Sequence, residues 1–182
     1  MREMQGDLYP YKLSFIPTSL WEIPRKNPIL QKLVNDMGDN REIKRTGGAL
    51  GKKGIRFSEF KADVAYRIIE YWGRESKTVF DPFAGRYTRM MVALYLGKNY
   101  IGYDVVPEYI QANQIRYNKI QQEYPNQFVK LYEGDGCQLK EIENESQDFI
   151  FTCPPYYNLE LYKNAPQQLS HLATYEEFIY KI

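Results

Sequence analysis

Short strand-like segments alternate with helical segments along residues 78–152 of this sequence. Hydrophobic periodicity and turn residues predict strands over residues 78–80, 100–103, 128–132 and 148–152, helices over 88–96 and 107–123, and a short helical turn near Leu139. A strand, a helix and a further strand in succession form a unit whose two strands lie parallel. We therefore predict an α/β fold with a mostly parallel sheet and helices on its faces.

A further helix is predicted ahead of the first strand, with Ser58 as its N-cap and Gly73 as its end. Apolar residues recur at every fourth position in it, at Phe60, Val64, Ile68 and Trp72. We expect this face to pack on the sheet. Residues 1–57 lack such periodicity, so we predict an N-terminal arm and a glycine-rich loop there and one α/β domain over residues 58–182.

The composition favours one domain without metal ions. The chain has 182 residues, 43% of them hydrophobic, which suffices for one core and not for two ordinary domains. Two cysteines and one histidine make neither a disulfide framework nor a metal-ligand pattern, so we expect no metal. The sequence has neither an apolar run of the roughly 20 residues that cross a bilayer nor an apolar signal segment. We accordingly expect a cytoplasmic protein without contact to a membrane.

Residues 44–56 combine glycines with a cluster of basic side chains. The net charge of the chain is only +1, so any affinity for nucleic acid must come from local clusters of this kind. The candidate DNA-binding residues are Lys44, Arg45, Lys52, Lys53 and Arg56. Contacts from them to phosphates would add affinity without sequence information. The alternative is a solvated connection that binds nothing, and the sequence does not separate the two.

The residues that follow each predicted strand carry the candidate chemistry, because ligands of open parallel sheets bind beyond the carboxyl ends of the strands. Asp81 opens a tight turn whose small residues allow a ligand to approach the backbone. Asp104 ends the second strand, where a carboxylate can accept hydrogen bonds from ribose hydroxyls. Asp135, between two glycines, could accept from the exocyclic amine of an adenine, although such an aspartate is more often a turn former.

The fourth strand leads into Cys153-Pro154-Pro155-Tyr156. The prolines fix the backbone and leave carbonyl groups without competing N–H groups. Together with residues 81–88, DPFAGRYT, this segment resembles the paired signatures of DNA methyltransferases that act on exocyclic amino groups, a DPFxGxGT-like loop and a (D/N/S)PP(Y/F/W) motif. Residues 153–160 and 174–178 are similar to phage and prophage members, which suggests a phage or restriction-modification origin.

The resemblance implies a Rossmann-like sheet, S-adenosyl-L-methionine as cofactor, and double-stranded DNA as partner, methylated at adenine N6 or cytosine N4. It also implies roles for individual residues. The cofactor-binding set is Ser58, Phe60, Asp81, Pro82, Phe83, Ala84, Gly85, Thr88, Asp104, Asp135 and Gly136. The catalytic set is Cys153, Pro154, Pro155 and Tyr156. Tyr156 would stack on a flipped base, while the Pro154 carbonyl and the side chain at position 153 would hold the two N–H bonds of its amine.

Two substitutions and the extent of the sheet depart from the family pattern. Cys153 stands where the family has Asp, Asn or Ser and offers only a weak acceptor, and Tyr87 stands where the loop usually has glycine. The predicted sheet is incomplete, and its edge invites a second polypeptide or a homodimer. The alternatives are a catalytically degenerate cofactor-binding or assembly module, half of a split enzyme, or a methyltransferase for RNA or protein. A nicotinamide dehydrogenase is disfavoured because the loop lacks G-x-G-x-x-G.

Overall fold

The computed structural model describes Leu30, residues 60–157 and residues 168–182, apart from the side chain of His171. Several predicted site residues lie outside the described residues: Ser58, Lys44, Arg45, Lys52, Lys53 and Arg56. Leu30 is fully buried in the main core, so at least this residue of the N-terminal region packs with the α/β domain. The division at residues 57 and 58 stays a prediction.

Among the described residues, three strands form a parallel sheet in the order β1 (Thr78–Asp81), β2 (Asn99–Asp104) and β3 (Val129–Glu133). β2 pairs in parallel with both neighbours, so that Phe80 lies opposite Ile101 and Tyr103 opposite Tyr132. The strands lie within one or two residues of their predicted positions. The predicted α/β fold with an open, incomplete parallel sheet is confirmed.

Helices connect successive strands, as the alternating pattern predicts. The structure contains α1 (Ala62–Trp72), α2 (Thr88–Tyr95), α3 (Pro107–Ile120) and α4 (Tyr175–Lys181), with single 3₁₀ turns at Gln121–Glu123 and Leu169–His171. α2 crosses from β1 to β2, and α3 crosses from β2 to β3. Thr174 caps α4 with a capping box, in which its hydroxyl accepts from the Glu177 amide.

Residues 149–151, the bridge segment, lie on the opposite side of β1 from β2. The Phe80 amide donates to the Phe149 carbonyl (3.1 Å), and the Phe151 amide donates to the Phe80 carbonyl (2.9 Å). The prediction of a strand over residues 148–152 was too long, since only one parallel bridge, between Phe80 and Ile150, forms there. The chain nevertheless reverses its order across the sheet at β1, which makes a topological switch point beside this strand.

The prediction for the first helix was wrong in two respects. α1 begins at Ala62, after Lys61, instead of directly after Ser58. Its buried face consists of Ala62, Asp63, Ala65, Tyr66 and Ile69, whereas Trp72 is 60% exposed. The physical reason is that a repeat of four residues advances about 40° per step relative to the helix period of 3.6, so the predicted apolar stripe winds around the helix.

Two hydrophobic clusters cover the two faces of the sheet. The larger one contains residues of α1, α2, the end of α3 and the strands, among them Ile69, Met90, Leu94 and Tyr100. The smaller one consists of Phe80, Ile101 and Tyr103, covered by Tyr132, Leu139 and Ile142. The helical turn predicted near Leu139 is a pair of hydrogen-bonded turns instead, since the Gln138 and Ile142 amides each donate to the carbonyl three residues earlier. Among the described residues, every helix is too short or too polar to cross a membrane.

Candidate active site

A cavity of about 350 Å³ opens at the carboxyl ends of β1, β2 and β3. Its volume lies in the range of roughly 300–1,000 Å³ that is typical of small-molecule sites. The structure brings together there ten of the predicted residues: Phe60, Pro82, Phe83, Gly85, Asp104, Asp135, Gly136, Cys153, Pro155 and Tyr156. Four others do not line the cavity, namely Asp81, Ala84, Thr88 and Pro154.

The loop after β1 has all of its central backbone groups bound by other parts of the protein. Its three amides donate to protein acceptors: Phe83 to the Thr152 hydroxyl (3.1 Å), Ala84 to the Tyr103 carbonyl (2.7 Å) and Gly85 to Oδ2 of Asp104 (2.7 Å). Its carbonyls accept from side chains: Phe83 (2.6 Å) and Ala84 (3.1 Å) from Arg89, and Gly85 (2.9 Å) from Asn113. Gly85 has φ +52°, which glycine adopts at little cost. Other parts of the protein therefore hold this loop through both its amides and its carbonyls.

Asp81 lies behind this loop and is completely buried. Its carboxylate accepts from Nε of Arg89 at 2.6 Å, from the Tyr100 hydroxyl at 2.7 Å and from the Thr152 hydroxyl at 2.7 Å. Burial acts to lower the pKa of Arg89, but the neighbouring charges, led by that of Asp81, and the hydrogen bond to Asp81 together outweigh it and raise the pKa. Arg89 thus stays charged, and Asp81 organises the site without lining the cavity.

Asp104, at the end of β2, does line the cavity. Its carboxylate oxygens accept from two backbone amides, those of Gly85 at 2.7 Å and Val106 at 2.8 Å. Burial raises the pKa of Asp104 to about 6, while these two hydrogen bonds oppose the shift. The group is mostly ionised at neutral pH, and each carboxylate oxygen keeps further lone-pair capacity to accept from hydroxyl donors.

Asp135 and Gly136 bring the end of β3 against the loop after β1. Asp135 is buried, and its carboxylate accepts from the Cys137 amide at 3.0 Å. A Cβ atom on Gly136 would lie only 2.0 Å from the carbonyl oxygen of Pro82, so no larger residue fits without a shift of the backbone. Burial followed by the charge of Asp135 raises the pKa of the Cys137 thiol to about 11, which keeps that thiol protonated.

The segment after the bridge supplies the opposite wall of the cavity. Cys153, Pro155 and Tyr156 line it, and Tyr156 is 54% exposed at its mouth. The next residue, Tyr157, packs against α4, with its hydroxyl donating to the Ala173 carbonyl (3.2 Å) and its ring 5.5 Å from that of Phe178. Tyr156 thus exposes its ring directly beside a residue that α4 holds in place.

Several residues that line the cavity were outside the predicted cofactor-binding and catalytic sets. Among them are Arg86 and Arg89, whose charges the sequence suggests beside the expected cofactor, although it does not show that Arg89 is buried. Tyr87 replaces a glycine of the family loop without strain, because its φ is −49° and the positive φ belongs to Gly85. Its buried ring packs beneath the Arg116 guanidinium, 3.3 Å from the ring centre. Thr152, which bonds to Asp81 and to the Phe83 amide, did have a signal in the sequence, because it is a hydroxyl side chain at the end of a predicted strand beside Cys153.

An open parallel sheet with a cavity across its switch point, walled by acids that follow two neighbouring strands, defines an α/β protein of the Rossmann-like methyltransferase type. A family model described as DNA methylase, for N6/N4 methyltransferases, matches residues 17–115. The chain belongs to this DNA methylase family and is a DNA methyltransferase. No curated protein matches the chain, and no solved structure does.

The matched range includes Asp81, Gly85 and Asp104, and it ends ahead of Asp135 and Cys153. It begins within the segment that was predicted to be an N-terminal arm. The resemblance to DNA amino-methyltransferases is confirmed at the level of the family. The phage and restriction-modification origin, and the roles of the individual site residues, stay predictions.

Proposed function

We propose that this chain transfers the methyl group of S-adenosyl-L-methionine to the exocyclic amine of adenine (N6) or cytosine (N4) in double-stranded DNA. The observation that carries the proposal is one cavity that is lined both by the acids of two strand ends, Asp104 and Asp135, and by the exposed ring of Tyr156. Acids on one wall suit a nucleoside cofactor, and an aromatic ring on the other suits a flipped base.

The residues of the cavity fit the cofactor chemically. S-adenosyl-L-methionine carries ribose hydroxyls and an adenine amine, for which Asp104 and Asp135 would be the acceptors, and when bound it supplies an electrophilic methyl group. It carries no phosphate. The loop of residues 83–85 suits this, because its amides already donate to Thr152, Tyr103 and Asp104 and do not form a phosphate cradle. A dinucleotide would need those amides for its pyrophosphate.

The wall formed by residues 153–156 would hold the target base. Tyr156 would stack on a base that has left the duplex, since the amine cannot reach the cavity inside a helix. The Pro154 carbonyl and the Cys153 sulfur would accept the two N–H bonds, which directs the nitrogen lone pair toward the cofactor side of the cavity. Because the sulfur is a weak acceptor, we expect the carbonyl to provide the stronger of the two contacts.

The DNA itself would be held outside the described part of the chain. We propose that Lys44, Arg45, Lys52, Lys53 and Arg56 contact its phosphates. Such contacts position the duplex and leave sequence recognition to other residues. If these side chains are neutralised by substitution, the affinity for DNA should depend less steeply on salt concentration. Such a result would support this role.

The test is transfer of labelled methyl from S-adenosyl-L-methionine to unmethylated DNA, followed by digestion to nucleosides. We expect the label in N6-methyladenine or N4-methylcytosine, and its position identifies the base. Tyr156→Leu should reduce the rate by roughly 5- to 150-fold, which corresponds to a lost stacking contact of roughly 1–3 kcal/mol. The matched control is Tyr180→Leu, a tyrosine of α4 that is 95% exposed and does not line the cavity. Cofactor binding without any labelled nucleoside would reject the proposal.

A further inference from the structure

Three polar side chains, Arg89, Asp81 and Thr152, connect two of the segments that line the cavity. The carboxylate of Asp81 accepts from Arg89 on one side and from the Thr152 hydroxyl on the other. Arg89 belongs to α2 and lies under the loop after β1, whereas Thr152 directly precedes Cys153. Asp81 therefore joins the loop of residues 83–85, the cofactor wall, to the segment of residues 153–156, the base wall.

Arg89 fixes the cofactor wall. Besides the ion pair with Asp81, its Nη2 donates to the carbonyls of Phe83 (2.6 Å) and Ala84 (3.1 Å), and its guanidinium lies 5.0 Å from the ring centre of Phe60. Arg89 is only 4% exposed, so this charge is held in place by the acid beside it. A buried ion pair of this kind contributes geometry more than stability.

Thr152 fixes the base wall to the same unit. Its hydroxyl donates to Oδ1 of Asp81 at 2.7 Å and accepts from the Phe83 amide at 3.1 Å. Only a hydroxyl can donate and accept strongly at one atom, and among side chains of this size only threonine and serine carry one. The Thr152 hydroxyl thus contacts both the last residue of β1 and the loop that follows β1.

The backbone alone joins these walls weakly. The described residues of the bridge segment share one isolated parallel bridge with β1, made of two hydrogen bonds through Phe80, whereas β1 and β2 pair over four positions. Side chains must supply the remaining constraint on how far residue 153 lies from the loop. In-line displacement is sensitive to this distance, and a misplacement of about 1 Å can cost on the order of a hundredfold in rate.

We propose that Arg89, Asp81 and Thr152 form a positioning unit that sets the separation between the cofactor wall and the base wall. The proposal rests on the proposed function for its consequence in catalysis. None of the three residues is assigned a contact with the reacting atoms. Their role is to hold the Phe83–Gly85 loop and the Cys153 segment in one fixed relation.

The first test compares Thr152→Val with Thr152→Ser in single-turnover methyl transfer at saturating cofactor and DNA. We expect valine to lower the rate by about tenfold or more with a smaller change in cofactor affinity, and serine to restore it to within about threefold. The matched control is Thr78→Val at the start of β1, whose hydroxyl accepts from Asn99 far from the cavity. A valine variant that keeps the parent rate, or a loss that serine does not restore, would overturn the proposal.

The second test does not depend on activity. Amide hydrogen exchange is measured by NMR in the ligand-free full chain, for the parent and for Arg89→Lys. If the unit couples the walls, exchange should accelerate at Phe83–Gly85 and also at the Phe151 amide, which donates to the Phe80 carbonyl and which Arg89 does not hold directly. Unchanged exchange at Phe151 would overturn the coupling. If the parent chain transfers no methyl, the proposed function fails, and this experiment still decides whether the unit exists.

Discussion

The carboxylate of Asp104 accepts two backbone amides and lies at the wall of the cavity, where burial raises its pKa to about 6 from an ordinary value of 3.8. The folded state therefore binds this proton more tightly than the unfolded chain does. Folding stability from this group is greatest at low pH and is lost as the pH rises from about 4 to about 6. An acid placed at a cost to stability is typical of a functional site.

Cofactor affinity should show the opposite dependence on pH. The ionised carboxylate accepts hydrogen bonds from hydroxyl donors more strongly than the protonated acid does, so we expect the affinity for S-adenosyl-L-methionine to fall as the pH drops through about 6. Titration calorimetry at a series of pH values measures this dependence. In Asp104→Asn the affinity should be lower at neutral pH, and the fall in affinity near the pKa of Asp104 should disappear. If the asparagine variant shows a fall of the same size, another group is responsible for the pH dependence.

At the scale of the loops, the site depends on how closely the turn after β3 approaches the loop after β1. Gly136 makes this approach possible, because any Cβ there would collide with the carbonyl oxygen of Pro82. The neighbouring Gly134 is different, since a Cβ on it would meet only a ring carbon of Tyr103 at 3.8 Å, an ordinary contact. Of the two glycines in this short motif, only Gly136 is required by a close contact with the backbone.

This difference predicts the outcome of two alanine substitutions. Gly136→Ala must displace one of the two loops, and we expect it to lower the free energy of unfolding by about 1–3 kcal/mol and to weaken cofactor binding. Gly134→Ala should change both quantities far less. Urea denaturation and titration calorimetry on the two variants provide the comparison. Equal effects of the two substitutions would contradict the proposed contact between the loops.

The elements were predictable to the extent that local periodicity determines them. The alternation of strands and helices gave β1, β2, β3, α2 and α3 within a few residues, because apolar segments separated by turn residues repeat along this part of the chain. The buried face of α1 was not predictable from the same repeat, since its core residues include small and polar ones such as Ala62 and Asp63. The strand predicted over residues 148–152 was too long because pairing there depends on the approach to β1, which only Ile150 makes as a bridge.

The candidate site was predictable in part for a similar reason. Residues that follow strands, such as Asp104, Asp135 and Tyr156, must gather at one edge of a parallel sheet, and they do line one cavity. Asp81 follows the same rule in sequence, yet its carboxylate turns inward to Arg89 and Tyr100. That orientation depends on a cation contributed by α2, and a tertiary contact of this kind has no signature in the local sequence.

For the whole molecule, the order of the sheet determines where the chemistry can occur. The bridge segment and β2 lie on opposite sides of β1, so the loops that leave β1 and the bridge segment diverge and leave a crevice between them. The family match covers the part of the chain that builds one side of this crevice. The other side, from Cys153 to Tyr156, is where we expect the target base.

The most direct measurement is titration of the full chain with S-adenosyl-L-methionine by calorimetry, for the parent, Asp104→Asn and Glu133→Gln. Glu133 is the matched control, because it ends β3 as Asp104 ends β2 but is exposed and lies outside the cavity. We predict one-to-one binding, an affinity reduced by about tenfold or more in Asp104→Asn, as expected for lost hydrogen bonds to a charged group, and no change in Glu133→Gln. Absence of binding to the parent, or equal effects of the two substitutions, would contradict a cofactor site at the strand ends.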